Sequence, residues 1–137
     1  IYMMKIFVSI SLILTVFLSS CSTKFPEIEG MNYDAWVTDK YGCRGERMDL
    51  VSLIDINQDK FLRYNQNEII DILGRPENHT LFTRSQTIFY YYINYNPACE
   101  GQETRMEDEQ VKLEIRFDAL NRSKSLYVHN YVNPLKK

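Results

Sequence analysis

By type, cysteine and histidine are the side chains of this 137-residue chain best suited to nucleophilic or metal chemistry, and there are few: Cys21, Cys43, Cys99, His79 and His129. A structural zinc site gathers four such ligands and usually starts from a cysteine pair two to four residues apart. No CxxC occurs and neither histidine lies near a cysteine in sequence, so no metal is expected. Asp55-x-Asn57-x-Asp59 imitates the opening of an EF-hand loop. Lys60, however, stands where the sharp turn needs glycine, and Gln66 where the bidentate carboxylate belongs. The segment reads as a solvated polar break, and the acidic run Glu107-Asp108-Glu109 as a solvated loop tip. The histidines have no recognisable nucleophile partner, and neither GxSxG nor a phosphate-cradling glycine loop is present. No catalytic residue and no cofactor are assigned, and enzyme activity is not expected.

Cysteine position carries more information than cysteine chemistry. Lys5 is the only charge in the first twenty residues, and Ile6 to Leu18 is apolar except for Ser9, Ser11 and Thr15. Such a run rises about 20 Å as a helix, short of the roughly 30 Å hydrocarbon core, so a cleaved leader over residues 1–20 fits better than a membrane span. Leu18-Ser19-Ser20-Cys21 resembles the bacterial lipobox, in which a peptidase cuts before a cysteine whose thiol carries diacylglycerol. The alternative is an ordinary secretory signal that happens to precede a cysteine. With acylation, Cys21 becomes the first mature residue and the membrane a permanent partner, since acyl chains contribute about 0.8 kcal/mol per buried CH₂. Ser22-Thr23-Lys24 carries no acidic residue beside the anchor, which points to the outer membrane of the bacterial envelope. In that oxidising space Cys43 and Cys99 remain as an even pair and are expected to form a disulfide. The formal charge of −2 gives no electrostatic ground for nucleic acid as a partner.

The elements that would position these residues follow from periodicity. A polar tether over residues 21–30 leads into a single domain over 31–137. Tyr33-Asp34-Ala35-Trp36-Val37 begins a short helix ending near Gly42, with Trp36 as its core anchor. Leu50, Leu53 and Ile54 fall at i, i+3, i+4, and Phe61 and Leu62 extend a similar face beyond the polar break. Asn65 is the N-cap of the next helix and Glu68 its capping-box partner; Ile69, Ile70, Ile72 and Leu73 are its apolar set, and Gly74 and Pro76 stop it. The period then changes to two. A short strand at Leu81-Phe82-Thr83 precedes the aromatic strand Thr87 to Tyr95, in which Tyr90 and Tyr92 share a face with Ile88 and oppose Phe89, Tyr91 and Ile93. Val111, Leu113, Ile115 and Phe117 alternate with Lys112, Glu114 and Arg116, giving one dry and one wet face. A turn over Asp118 to Arg122, with Asn121 accepting positive φ, returns the chain into a last strand from Leu126 to Val132. The long loop 96–110 carries Cys99 and would be tied down by the disulfide. The expected fold is α+β: a two-layer sandwich of two or three N-terminal helices on a three- to four-stranded antiparallel meander.

The run Asn65-Gln66-Asn67-Glu68-Ile69-Ile70-Asp71-Ile72-Leu73-Gly74-Arg75-Pro76, then Phe89-Tyr90-Tyr91-Tyr92, then Leu113-Glu114-Ile115-Arg116-Phe117-Asp118, resembles the BamE-like (SmpA/OmlA) family of small outer-membrane lipoproteins over about residues 47–132. The sequence departs from the family pattern at Arg63-Tyr64 and at Asn121, where glycines are usual, and the Cys43/Cys99 pair and the 96–110 loop are additions. The resemblance implies a non-catalytic accessory in assembling β-barrel proteins, with an outer-membrane or periplasmic protein as partner. A lipid-anchored ligand-binding or enzyme-inhibitor module is the alternative. Tyr90, Tyr92, Tyr127 and Tyr131 are the candidate interaction surface, because aromatic residues on a wet sheet face are strong binding anchors. They could equally be covered by the long loop and the terminal segment, or spend themselves on cross-strand pairs.

Overall fold

A computed structural model describes residues 1–4, 20–103 and 109–137. The apolar run expected to form a leader, Leu18 and Ser19 of the lipobox-like segment, and Glu107 and Asp108 lie outside the described residues. The order of elements is helix α1 (Tyr33–Thr38), α2 (Glu46–Ile56), α3 (Gln66–Leu73), then strands β1 (Asn78–Phe82), β2 (Gln86–Tyr92), β3 (Lys112–Phe117) and β4 (Ser123–His129). Short 3-10 turns over Lys40–Gly42, Gln58–Phe61, Thr83–Ser85 and Pro97–Glu100 join them. The strands form one antiparallel sheet in the order β1-β2-β3-β4, an α+β meander with the helices packed on one side.

Local chemistry explains most boundaries. Asn32 caps α1 through its side chain, and Asn65 and Glu68 form the full capping box of α3. Gly74 ends α3 at φ 79°, and its amide closes on the Ile70 carbonyl at 2.9 Å. Asp118 builds the hairpin between β3 and β4: its carboxylate accepts from the amides of Leu120 and Arg122, and Asn121 takes φ 59°. The turn is so tight that β4 begins at Ser123, earlier than alternation alone suggests, and it ends at His129 because Asn130 turns left-handed at φ 55°. Similarly β1 starts at Asn78, before the Leu81-Phe82-Thr83 segment, since pairing with β2 continues up to Asn78 opposite Tyr90.

The inner face of the sheet presents Phe89, Tyr91 and Ile93 of β2 and its extension, Leu113, Ile115 and Phe117 of β3, and Leu126 and Val128 of β4. They pack against Trp36, Val51, Ile54, Phe61, Ile69, Ile72 and Leu73, all fully buried. Helix α2 departs from the expected Leu50, Leu53, Ile54 stripe: its buried line is Arg47, Val51 and Ile54, with Leu50 and Leu53 at its margin. An arginine on the inward line is what periodicity reading leaves out. Leu62 also differs, standing exposed beyond the buried Phe61 because the 3-10 turn ends there in an extended residue.

Arg47 is the centre of a buried polar junction between helices and sheet. Its guanidinium meets Glu77 at 2.8 Å and donates to the carbonyls of Trp36 and Tyr92, while Glu77 accepts from the amides of Tyr41 and Tyr92. Cys43 and Cys99 form the disulfide, joining the end of the Lys40–Gly42 turn to the Pro97–Glu100 turn across 56 residues of chain. Asn96 reinforces this link by donating to the Tyr41 carbonyl at 2.6 Å.

Residues 23–28 of the tether lie along the domain. Thr23 donates to Asp71 at 2.6 Å, Tyr64 and Tyr33 donate to the carbonyls of Lys24 and Pro26, and Lys60 donates to that of Glu27. Ordinary tyrosine hydroxyls thus convert a polar stretch into a docked one. At the other end, Asn133 and Lys136 both reach Asp55, strapping the C-terminal segment to α2.

Candidate interaction surface

The sheet's second face is built from alternate residues of all four strands. The register places Tyr90, Glu114 and Tyr127 in one row, Tyr92, Lys112 and His129 in the next, and Thr80, Ile88 and Arg116 on the other side. The three α-helices contribute their buried residues to the opposite face, while the Lys40–Gly42 3-10 turn lays Tyr41 over one end of this one. Alternation suggests that Lys112, Glu114 and Arg116 form a wet stripe; instead Lys112 is 9% and Glu114 5% exposed. The correction has a physical cause. On a central strand flanked by tyrosines, long side chains lie down over their neighbours and are shielded by them. The Lys112 ammonium sits over the Tyr90 ring at 5.7 Å, and the Arg116 guanidinium over the Phe82 ring at 5.7 Å.

Glu114 organises the centre. One carboxylate oxygen accepts from Arg116, and the other accepts from Nε2 of His129 at 2.7 Å, a diagonal neighbour across the hairpin. Burial alone would raise the Glu114 carboxyl, but Arg116 and then His129 outweigh it and hold it below the usual carboxylate range. The Tyr90 hydroxyl is raised by burial and by the nearby Glu114 charge. Tyr127 closes the row, its ring edge-on to His129 at 4.7 Å and 58% exposed. The result is a surface of rings and fixed charges that offers contact area and oriented hydrogen bonds.

The four singled-out tyrosines divide. Tyr90 and Tyr127 stand together on this face, on either side of Glu114. Tyr92 shares the face but is 1% exposed beneath Tyr41, whose ring stacks on it at 6.2 Å, so it is a structural residue and not a surface anchor. Tyr131 lies beyond β4, half-buried against the core and bonded to Ser52, and does not join the face. Sequence reading passed over Glu114 and His129 as partners. The turn alone would not have found them: a register shift between Arg116 and Phe117 moves the pairing by one residue, and only with it does Glu114 stand opposite Tyr127 and Lys112 opposite His129.

The remaining sequence candidates are placed as follows. The Asp55-x-Asn57-x-Asp59 segment spans the end of α2 and a 3-10 turn, and Asp55 is occupied by Gln58, Asn133 and Lys136. Among the described residues no group of three His, Cys, Asp or Glu side chains is placed to hold a metal. No helix among them is long and apolar enough to cross a membrane. Cys21 is a free, exposed thiol. Comparison with protein-family models, with curated proteins and with solved structures finds none that matches this chain.

Proposed function

We propose that this chain is a non-catalytic lipoprotein of the bacterial envelope, held by acyl chains on Cys21, that serves as an accessory in outer-membrane protein assembly through protein contacts. The observation that carries this reading is the second sheet face, where Tyr90 and the 58% exposed Tyr127 flank a pre-ordered Glu114, Arg116 and His129 cluster on the side opposite the α-helical core. Preorganised aromatic and charged side chains favour binding because little side-chain freedom is lost on contact. The order of α3, its Gly74-Arg75-Pro76 stop and the meander support the resemblance to the BamE-like family, from which the class of task is taken. The test is affinity purification of the acylated chain from detergent-solubilised envelopes. A β-barrel assembly component should co-purify, and Tyr127→Ala should reduce it at least tenfold, the effect of a central aromatic anchor. Unchanged recovery with Tyr127→Ala would reject this face. Stoichiometric inhibition of a hydrolase, with no assembly component recovered, would reject the assembly role.

A further inference from the structure

The sheet has two edges, and they are finished differently. At β4 the start of the edge is sealed by main chain: Arg63 donates to the Ser123 carbonyl at 2.8 Å and Ser123 donates to the Tyr64 carbonyl at 2.7 Å. The Ser123 hydroxyl adds a bond to the Phe61 carbonyl at 2.6 Å, and Lys124 follows on the same edge. These are the devices by which sheets prevent further pairing. At β1 none is present. Asn78-His79-Thr80-Leu81-Phe82 contains no Lys, Arg, Asp or Glu, and it has no proline and no bulge. Among the described residues no backbone group outside β2 is bonded to it. Leu81 is 81% and Phe82 51% exposed at this edge, on opposite faces of the sheet.

We propose that β1 pairs antiparallel with β1 of a second copy, around a two-fold axis passing near Leu81. An extended strand satisfies the unpaired amides and carbonyls, and self-pairing suits these side chains. In the register centred on Leu81, each Leu81 faces its twin on the helix side, and each Phe82 faces the other copy's Thr80 on the second face. Both exposed apolar residues are thereby withdrawn from water. Charge fits as well: Glu77, just before the strand, is buried against Arg47 of its own copy, and Arg84, just after it, lies at opposite ends in the two copies, about 20 Å apart at the strand rise. An anionic or cationic foreign strand would gain nothing from so neutral an edge. In this register three residues per copy, Thr80 to Phe82, pair before the Thr83–Ser85 turn ends the strand, so the interface is small, and association is weak in dilute solution and grows where copies are confined to one membrane.

Sedimentation equilibrium of the full chain in density-matched detergent, from about 1 µM to about 1 mM protein, tests this directly. The expected result is a weight-average mass rising towards two chains, with Leu81→Lys weakening the association at least tenfold by setting two ammonium groups face to face. Lys124→Glu on the opposite edge should leave it unchanged. Leu81 is exposed, so the lysine variant keeps the fold, verified by an unchanged far-ultraviolet spectrum. A single-chain mass across the whole range overturns the proposal, as does self-association that Leu81→Lys leaves intact.

Discussion

Glu77 accepts from Arg47 and from the amides of Tyr41 and Tyr92, and Arg47 in turn holds the carbonyls of Trp36 and Tyr92, with its guanidinium 5.3 Å from the Trp36 ring. Removing one partner of a buried ion pair leaves an uncompensated charge, so Glu77→Ala should lower the urea-unfolding free energy by about 3–5 kcal/mol. The exposed Arg44–Glu46 pair should contribute less than about 1 kcal/mol in the same measurement. Replacing both Arg47 and Glu77 by apolar residues is often benign for an isolated pair, but here it would orphan four backbone groups, so the double variant should stay destabilised. Acid adds a second residue-scale test. Glu114 and Asp55 are both held below the ordinary carboxylate range; in each, burial opposes the shift, and Arg116 with His129, or Lys136 with Asn133 and Gln58, overcomes it. Depressed carboxyls stabilise the fold fully above the unfolded value near pH 4 and lose that contribution as pH falls further. Unfolding free energy should therefore be flat with respect to these groups between pH 7 and about 5 and decline towards pH 3, with Glu114→Gln and Asp55→Asn each flattening the decline. Neither network was legible in sequence, because Arg47 and Glu77 are 30 residues apart and ionised side chains are not expected inside.

Elements whose signals are local were legible, and those set by distant contacts were not. The capping box at Asn65 and Glu68, the stop at Gly74, the alternation of β3 and the left-handed Asn121 all depend on neighbours within a few residues, and each stands where the chain pattern put it. The margins of β1 and β4, the buried line of α2 and the burial of Lys112 and Glu114 depend on what packs across the sheet or on a turn's tightness, which no short window contains. The disulfide belongs to the first group only through compartment reasoning; its partner, the glycine beside it, belongs to the second. Gly42 takes φ 68°, and a Cβ there would lie 2.1 Å from the carbonyl oxygen of Ile93, at the point where the Lys40–Gly42 turn crosses the end of β2. Backbone cannot retreat there because Cys43 is tied to Cys99 one residue later. Gly42→Ala should thus cost more than about 3 kcal/mol in urea unfolding, or prevent accumulation of folded protein. Gly101→Ala, also left-handed but facing open space, should cost only about 1–2 kcal/mol.

At the scale of the whole molecule, the docked tether decides how an anchored domain would sit. Ser22 alone separates Cys21 from Thr23, whose hydroxyl is fixed to Asp71 on α3, so an acylated Cys21 would hold Thr23 within about 7 Å of itself and that end of α3 one side-chain contact beyond. Bonds from Tyr64, Tyr33 and Lys60 to the tether carbonyls continue the attachment over the next residues, making the leash part of the body. Anchoring and folding are separable on this arrangement, because Cys21 is exposed and outside the core. Cys21→Ala should therefore release the protein from envelopes into the soluble fraction while its urea midpoint stays unchanged; tight membrane attachment of this variant would rule out acylation as the anchor. Inserting ten Gly-Ser residues between Ser22 and Thr23 separates the leash's two tasks. Attachment should persist, but partner recovery should fall severalfold, since a flexible linker dilutes the effective concentration of a surface that the short leash keeps oriented. Equal recovery with the long linker would mean that the acyl chains supply only residence on the membrane and that the orientation set by Thr23 and Asp71 is immaterial to binding.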